Sequence, residues 1–277
     1  MTASRSSTAN GDATRISELY IEFDWQQLTV RTDATAISEF LLDEYSAMLV
    51  PEPTNAIGRL DFMSNGTGYS VRGIRQMDYA APLPYLFDSI KAEVLLQFIS
   101  VRQDLMWVHA GCVESAGKAL LFAGPSGNGK STLVTLLCER GWRFLSDDIA
   151  PIRMNLDEVL PFPQMPRRRI HPGRELAADE MRLLERESVE VELERIQRNP
   201  TSIGGIVFPV FREGAAPQLE RVPAGEAALK LIRDCTNFAD HKAAAVSRAV
   251  AMARTIPVYG LTYSAGRDAA ALFDSLD

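Results

Sequence analysis

Residues Gly124 to Ser131 read G-P-S-G-N-G-K-S, set between an apolar run, Ala119–Ala123, and an apolar stretch of helical spacing, Leu133–Cys138. Glycines at these positions let backbone N–H groups turn inward around phosphate oxygens, the lysine reaches the β- and γ-phosphates, and the hydroxyl after it suits Mg²⁺. Strand, loop and helix in that order predict an α/β fold with a Walker A loop. Gly124, Ser126, Gly127, Asn128, Gly129, Lys130, Ser131 and Thr132 would then surround the phosphates of a nucleoside triphosphate. The alternative, a glycine-rich turn before a helix, meets all four fixed positions by chance in roughly one chain in a hundred of this length.

The helix predicted from Ser131 ends at Gly141, and Trp142–Ser146 reads as a strand running into Asp147 and Asp148. About ten helical residues rise about 15 Å from the loop, and about five extended residues return about 16 Å. The acidic pair is thereby brought back to the level of the phosphates, where ligands of parallel α/β sheets lie. Two adjacent carboxylates would repel a triphosphate unless a metal lay between them, so the pair reads as a metal and proton-transfer site rather than a solvated turn. The residues alone leave open which Asp does which.

His109 precedes Lys130 by 21 residues, in the strand-like run W-V-H-A-G-C-V, with a turn at Ser115–Lys118 before the strand that enters the loop. A hairpin there would carry it toward the phosphates. Periodicity alone favours the plainer alternative, a core histidine satisfied by backbone.

V-H-A-G-C-V at 108–113, G-P-S-G-N-G-K-S, and R-G-W-R-F-L-S-D-D at 140–148 together resemble the catalytic domain of HPr kinase/phosphorylase over residues 107 to 153. The resemblance implies a P-loop kinase core of the HPr kinase/phosphoenolpyruvate carboxykinase type, with ATP and Mg²⁺ as cofactors. It implies Lys130 and Ser131 at the phosphates and Mg²⁺, His109 beside them, Asp147 for the metal and Asp148 as the base on the acceptor serine. The amino-terminal hundred residues do not resemble that family's sensor domain, and no counterpart of its signature segment or arginine-bearing loop follows Asp148. Instead V-L-P-F-P-Q-M-P (159–166), G-G-I-V-F-P-V-F-R (204–212) and I-P-V-Y-G-L-T-Y (256–263) resemble the HPr-kinase-related enzymes of peptide-modifying gene clusters, which include kinases of lasso-peptide precursors.

The remaining chain divides into a Ser/Thr/Ala-rich tail over 1–15, a small α/β amino-terminal domain over 16–82, and the kinase-like domain over 83–277. Leu19–Val30 alternates like one strand; Thr35–Met48 has helical spacing; Leu83–Arg102 reads as a core helix packing on the kinase sheet. A hairpin is predicted at 149–162. Arg167, Arg168 and Arg169 follow, three guanidinium groups suited to a transferring phosphate or an acidic peptide, or else a solvated basic loop. Within the charged insertion 170–200, Glu175–Arg198 reads as an exposed helix, suited to a mobile lid or an acceptor-binding flap. Gly204–Arg212 reads as a buried strand with Pro217–Val222 as its hairpin partner, followed by helices at 225–235 and 238–254, a strand at 257–263 and a terminal helix.

The net charge of −7 opposes a nucleic-acid groove, and no apolar run reaches membrane-spanning length. Three cysteines without a CxxC pair read as buried thiols of a cytoplasmic protein. The sequence as a whole predicts an ATP-dependent kinase acting on a serine hydroxyl of a peptide or small protein, a lasso-peptide precursor included, and is compatible with a homo-oligomer. A small-metabolite kinase and an ATP-hydrolysing switch are the alternatives.

Overall fold

The computed structural model describes residues 16–66, 68–80, 83–169, 186–189 and 191–275. Its amino-terminal sheet holds six strands: β1 (Ser17–Phe23), β2 (Gln26–Thr32), β3 (Leu49–Val50), β4 (Ala56–Ser64), β5 (Tyr69–Arg72) and β6 (Gln76–Tyr79), in the order β3-β1-β2-β4-β5-β6. The alternation from Leu19 to Val30 is thus two strands and not one. Asp24 and Trp25 both take positive φ, 46° and 66°, and make a two-residue hairpin whose twist suits the flanking strands. Helix α1 (Thr35–Glu44) follows, burying Ile37, Phe40 and Leu41 on one face, and α2 (Leu83–Val101) buries Leu86, Ile90, Val94 and Phe98 at a four-residue spacing.

The second sheet collects β7 (Leu105–Val108), β8 (Ala110–Ser115), β9 (Lys118–Ala123), β10 (Arg143–Ser146), β11 (Ala150–Arg153) and β12 (Glu158–Val159). Past a two-stranded pair, β13 (Arg167–Arg169) with β14 (Arg186–Ser188), it gains β15 (Thr201–Phe211), β16 (Gln218–Arg221) and β17 (Val258–Tyr263). β9, β15 and β17 run parallel; the other pairings are antiparallel. Alternate residues of β9 feed opposite faces. Ala119, Leu121 and Ala123 meet the helices Ala224–Arg233 and Ala243–Thr255, while Leu120 and Phe122 meet α3 (Lys130–Glu139) and Phe273.

α2 lies between the two sheets. Phe23 of the first hairpin, Phe98 of α2, and Trp107 and Phe162 of the second sheet meet with ring centroids 5.1–5.9 Å apart. Each such burial stabilises by about 1.5–3 kcal/mol, so α2 is held by both layers at once.

Pro217–Val222 was expected to fold back on the strand 204–212, and this is corrected: β16 pairs antiparallel with β17. β15 is already flanked by β9 on one side and by β12 and then β17 on the other, so no ladder position is left for it. The expected helix over 238–254 is interrupted at Lys242, φ 43°, into Phe238–His241 and Ala243–Thr255. Most of the charged insertion 170–200 lies outside the described residues. Its last part is not an exposed helix: Leu193–Arg195 is a single 3₁₀ turn, and Val191 and Ile196 are buried against the α3 side of the sheet.

One irregularity positions the site. The segments 105–115 and 143–153 form a single antiparallel ribbon, with Arg153 opposite Leu105, Ala150 opposite Val108, and Arg143 opposite Glu114. The ladder breaks in the middle, at His109–Gly111 on one strand and Asp147–Ile149 on the other. There the ribbon bends, so that β7 and β11 close one end of the sheet while β8 and β10 form the other.

Candidate functional site

The loop's shape comes from its glycines. Gly124, Gly127 and Gly129 have φ of 137°, 96° and 82°. At Gly129 the requirement is doubled, because a Cβ there would come within 1.8 Å of the Tyr263 hydroxyl, which donates to the Asn128 carbonyl at 3.1 Å. Tyr263 therefore clamps the loop from the end of β17. Gly129 then opens α3, whose first N–H groups face the loop.

Lys130 is buried, and its Nζ donates to the carbonyls of Gly124 (2.8 Å) and Pro125 (3.1 Å). The same Nζ lies 3.1 Å from His109 Nε2. An ammonium can only donate, so Nε2 accepts and the ring proton sits on Nδ1, 2.7 Å from the carbonyl oxygen of Asp148. Burial, followed by the charge of Lys130, holds the His109 pKa below its ordinary value and keeps the ring neutral. The hairpin of β8 and β9 and the bend in the ribbon together bring His109 to the loop, where periodicity had favoured a plain core histidine.

The two carboxylates at the bend differ. Asp148 has φ 66°, a left-handed conformation that Asp tolerates better than most residues. Its side chain is 38% exposed and borders the cleft, with Oδ2 3.1 Å from Lys91 Nζ. Burial alone would raise its pKa, but the Lys91 charge outweighs that and holds the carboxyl below the usual range. Asp147 is 3% exposed and points inward, bonded by the Ser131 hydroxyl, with Oδ1 lacking a hydrogen-bond partner. Burial, then the neighbouring Asp148 charge, raises its pKa.

Lys130 and Asp148 border a cleft of about 490 Å³, within the range of small-ligand pockets, while His109 and Asp147 lie behind them and do not line it. Ser126, Gly127, Gly129, Lys130, Ser131 and Thr132 line one side. Gly124 and Asn128 take part through their backbone carbonyls. Arg167 also borders the cleft. Its guanidinium is 3.3 Å from Asp43 and 3.4 Å from Glu44, and stacks 5.2 Å from the Phe40 ring centroid. Arg168 and Arg169 lie on the short strand β13, and their side chains lie outside the described residues.

Sequence reasoning missed Lys91 and Glu44. Lys91 interrupts the apolar pattern of α2, and Glu44 ends α1; neither position carries a local motif. Lys91 is 13% exposed and lies 2.7 Å from Glu44 Oε1. Burial would lower its pKa, but Glu44 and then Asp148 more than offset this, so the ammonium is retained. Arg267 and Gly266, beyond Tyr263, also border the cleft and were not foreseen.

The residues present fit a magnesium nucleotide. Glycine-shaped N–H groups, a buried lysine and a helix N-terminus suit phosphates. Ser131 and the unpartnered oxygen of Asp147 are hard oxygen donors of the kind Mg²⁺ takes. No group of three or more His, Cys, Asp or Glu gathers among the described residues, so such an ion would complete its shell with phosphate oxygens and water. Cys112, Cys138 and Cys235 are buried free thiols, and no described helix is long and apolar enough to cross a membrane.

No family model matches this chain. No curated protein matches it. Among solved structures, the HPr(Ser) kinase/phosphatase from Coxiella burnetii is similar over 61% of this chain and 93% of its own, at 12% identity and a TM-score of 0.33. A likeness at that level has no weight for the function of the cleft.

Proposed function

We propose that this chain is an ATP-dependent phosphotransferase that moves the γ-phosphoryl group onto a hydroxyl, a serine of a peptide or small protein, with ribosomal-peptide precursors such as those of lasso peptides as the acceptor class. The observation that carries this reading is Asp148: a carboxylate that borders the cleft, paired with Lys91 at 3.1 Å and tied through its own carbonyl to His109 and hence to Lys130.

In this reading the acceptor oxygen forms a bond to the γ-phosphorus while the bond to the β,γ-bridging oxygen breaks, and ADP leaves. The hydroxyl proton passes to Asp148. A carboxylate held so firmly ionised is a weak base, so its larger contribution is to orient the hydroxyl; in the loose transition state of phosphoryl transfer the proton moves late. Lys130 exchanges its loop carbonyls for phosphate oxygens, and neutral His109 accepts from it without adding a competing charge. Arg167 supplies a planar donor at the cleft for the transferring group. Ser131 and Asp147 would hold Mg²⁺, which when bound neutralises charge on the β and γ oxygens.

Intact-mass analysis of serine-bearing peptides, including precursors encoded beside the gene, after incubation with ATP and Mg²⁺ tests this. The expected result is a gain of one phosphate that disappears in Lys130→Ala. No gain on any peptide, with ATP still consumed, would move the reading to a small-molecule acceptor or a hydrolytic switch.

A further inference from the structure

Four charged residues from four separate elements form one continuous chain beside the cleft. Glu44, at the end of α1, is fully buried, and its carboxylate is shared: Oε1 lies 2.7 Å from Lys91 Nζ and Oε2 3.4 Å from Arg167 Nη1. Lys91, on α2, continues to Asp148 Oδ2 at 3.1 Å. The two inner members, Glu44 and Lys91, do not border the cleft. The two outer members, Asp148 and Arg167, both do.

A buried ion pair is weak evidence for stability. Withdrawing charges from water costs several kcal/mol per ion, and apolar replacements of buried pairs are often neutral or stabilising. α2 already packs through Leu86, Ile90, Val94 and Phe98, none of which depends on Lys91. The charges instead occur where they fix two groups that border the cleft. Asp148 also needs fixing, since it sits at the bend of the ribbon, where the ladder hydrogen bonds are interrupted.

We propose that Lys91 and Glu44 are positioning residues of the phosphoryl-transfer site, Lys91 aiming the Asp148 carboxylate at the acceptor and Glu44 anchoring both Lys91 and Arg167. This rests on the kinase reading of the same cleft. It makes α1 and α2 part of the transfer machinery: the P-loop half of the chain would bind nucleotide but could not align the transfer without them.

The test compares Lys91→Met, Lys91→Arg, Glu44→Gln and the Glu44→Gln/Lys91→Met double variant in the full chain. Three quantities are read: ADP release from ATP and Mg²⁺, with and without the serine peptides above; ATP affinity by fluorescence titration; and melting temperature. Misplacing a reacting group by about 1 Å can cost about 10²-fold, so Lys91→Met should lose about 10²-fold in kcat, with ATP affinity held within about twofold. Lys91→Arg should recover about tenfold of that, because it restores the cation with altered reach. The double variant should lose much less than the product of the two single losses, because both residues act through the same chain. Unchanged kcat in a folded Lys91→Met protein would overturn the proposal. So would a loss that follows the melting temperature and that arginine does not relieve. Should the wild-type protein release ADP yet phosphorylate no hydroxyl, the kinase reading falls while Lys91 is still decided by ADP release, since Asp148 would orient water as it would a hydroxyl.

Discussion

The two walls of the cleft are built by opposite means. One is the stretch Gly124–Thr132, contiguous in sequence, shaped by positive-φ glycines and clamped by Tyr263. The other presents Asp148 and Arg167 to the cleft and is held from behind by Lys91 and Glu44, four residues spread over 123 positions of sequence whose geometry is set by ion pairs across helices and a bent ribbon. A wall of the first kind is fixed by backbone conformation and leaves a spelling. A wall of the second kind is fixed by tertiary packing and leaves none. The expectation is that damage to the first shows in nucleotide binding and folding, and damage to the second in the transfer step alone.

Asp148→Asn tests that division most severely. Asn tolerates left-handed φ as Asp does, so the bend and the His109 bond to the 148 carbonyl should persist. Only the charge and its pairing with Lys91 are removed. Transfer should fall by about 10²–10⁴-fold with ATP affinity nearly unchanged. Loss of affinity, with transfer per bound ATP preserved, would mean that the dispersed wall binds nucleotide and that the division is wrong.

Gly129→Ala probes the contiguous wall. The residue needs φ 82° and would bring a Cβ to 1.8 Å from the Tyr263 hydroxyl. Left-handed φ alone costs about 1–2 kcal/mol, or roughly 2–8 °C in melting temperature for a chain of this size, with the clash added. In a Tyr263→Phe background the 1.8 Å clash is gone and the nearest ring carbon is left at 3.1 Å, while the backbone strain stays, so the substitution should cost less there. Equal cost in both backgrounds would show that Tyr263 does not hold the loop.

Legibility in the sequence followed the same division. The loop, α3, the stop at Gly141 and the return to Asp147 and Asp148 were all readable, because each depends on local backbone rules and on element lengths. The turn between β8 and β9 was readable for the same reason, and Ala116 and Gly117 do take positive φ there. The partner of β16 was misread because strand adjacency depends on which ladder positions are already filled. Lys91 and Glu44 were not visible at all. A lysine on an apolar helix normally extends its ammonium to water; that this one turns into a buried pair depends on α1 and on the bent ribbon lying against α2. Arg167 was found only as one of three arginines, and the pairing with Glu44 that distinguishes it is tertiary.

Asp147 lies where the two walls join, beside Asp148 in the chain and bonded to Ser131 of the loop, and it carries the smallest expected effect and the most informative sign. Burial and the neighbouring charge raise its pKa in the folded state, so folding favours the protonated form. The stability this group contributes is then complete below the unfolded carboxylate value, about 3.9, and is lost as pH rises through the folded value. Asn at this position resembles the protonated acid and cannot ionise. Without nucleotide or Mg²⁺, Asp147→Asn should therefore melt above wild type at pH 8, by about 1 kcal/mol or more, and the gap should close toward pH 4. Adding ATP and Mg²⁺ should reverse the order, because only the wild-type carboxylate gains a cation to offset its burial. Melting curves across that pH range, with and without the magnesium nucleotide, measure both signs. A variant less stable than wild type at pH 8 in the absence of ligand would show that the ionised Asp147 is already balanced by Ser131 and Lys91, and that the site carries no strain for a metal to relieve.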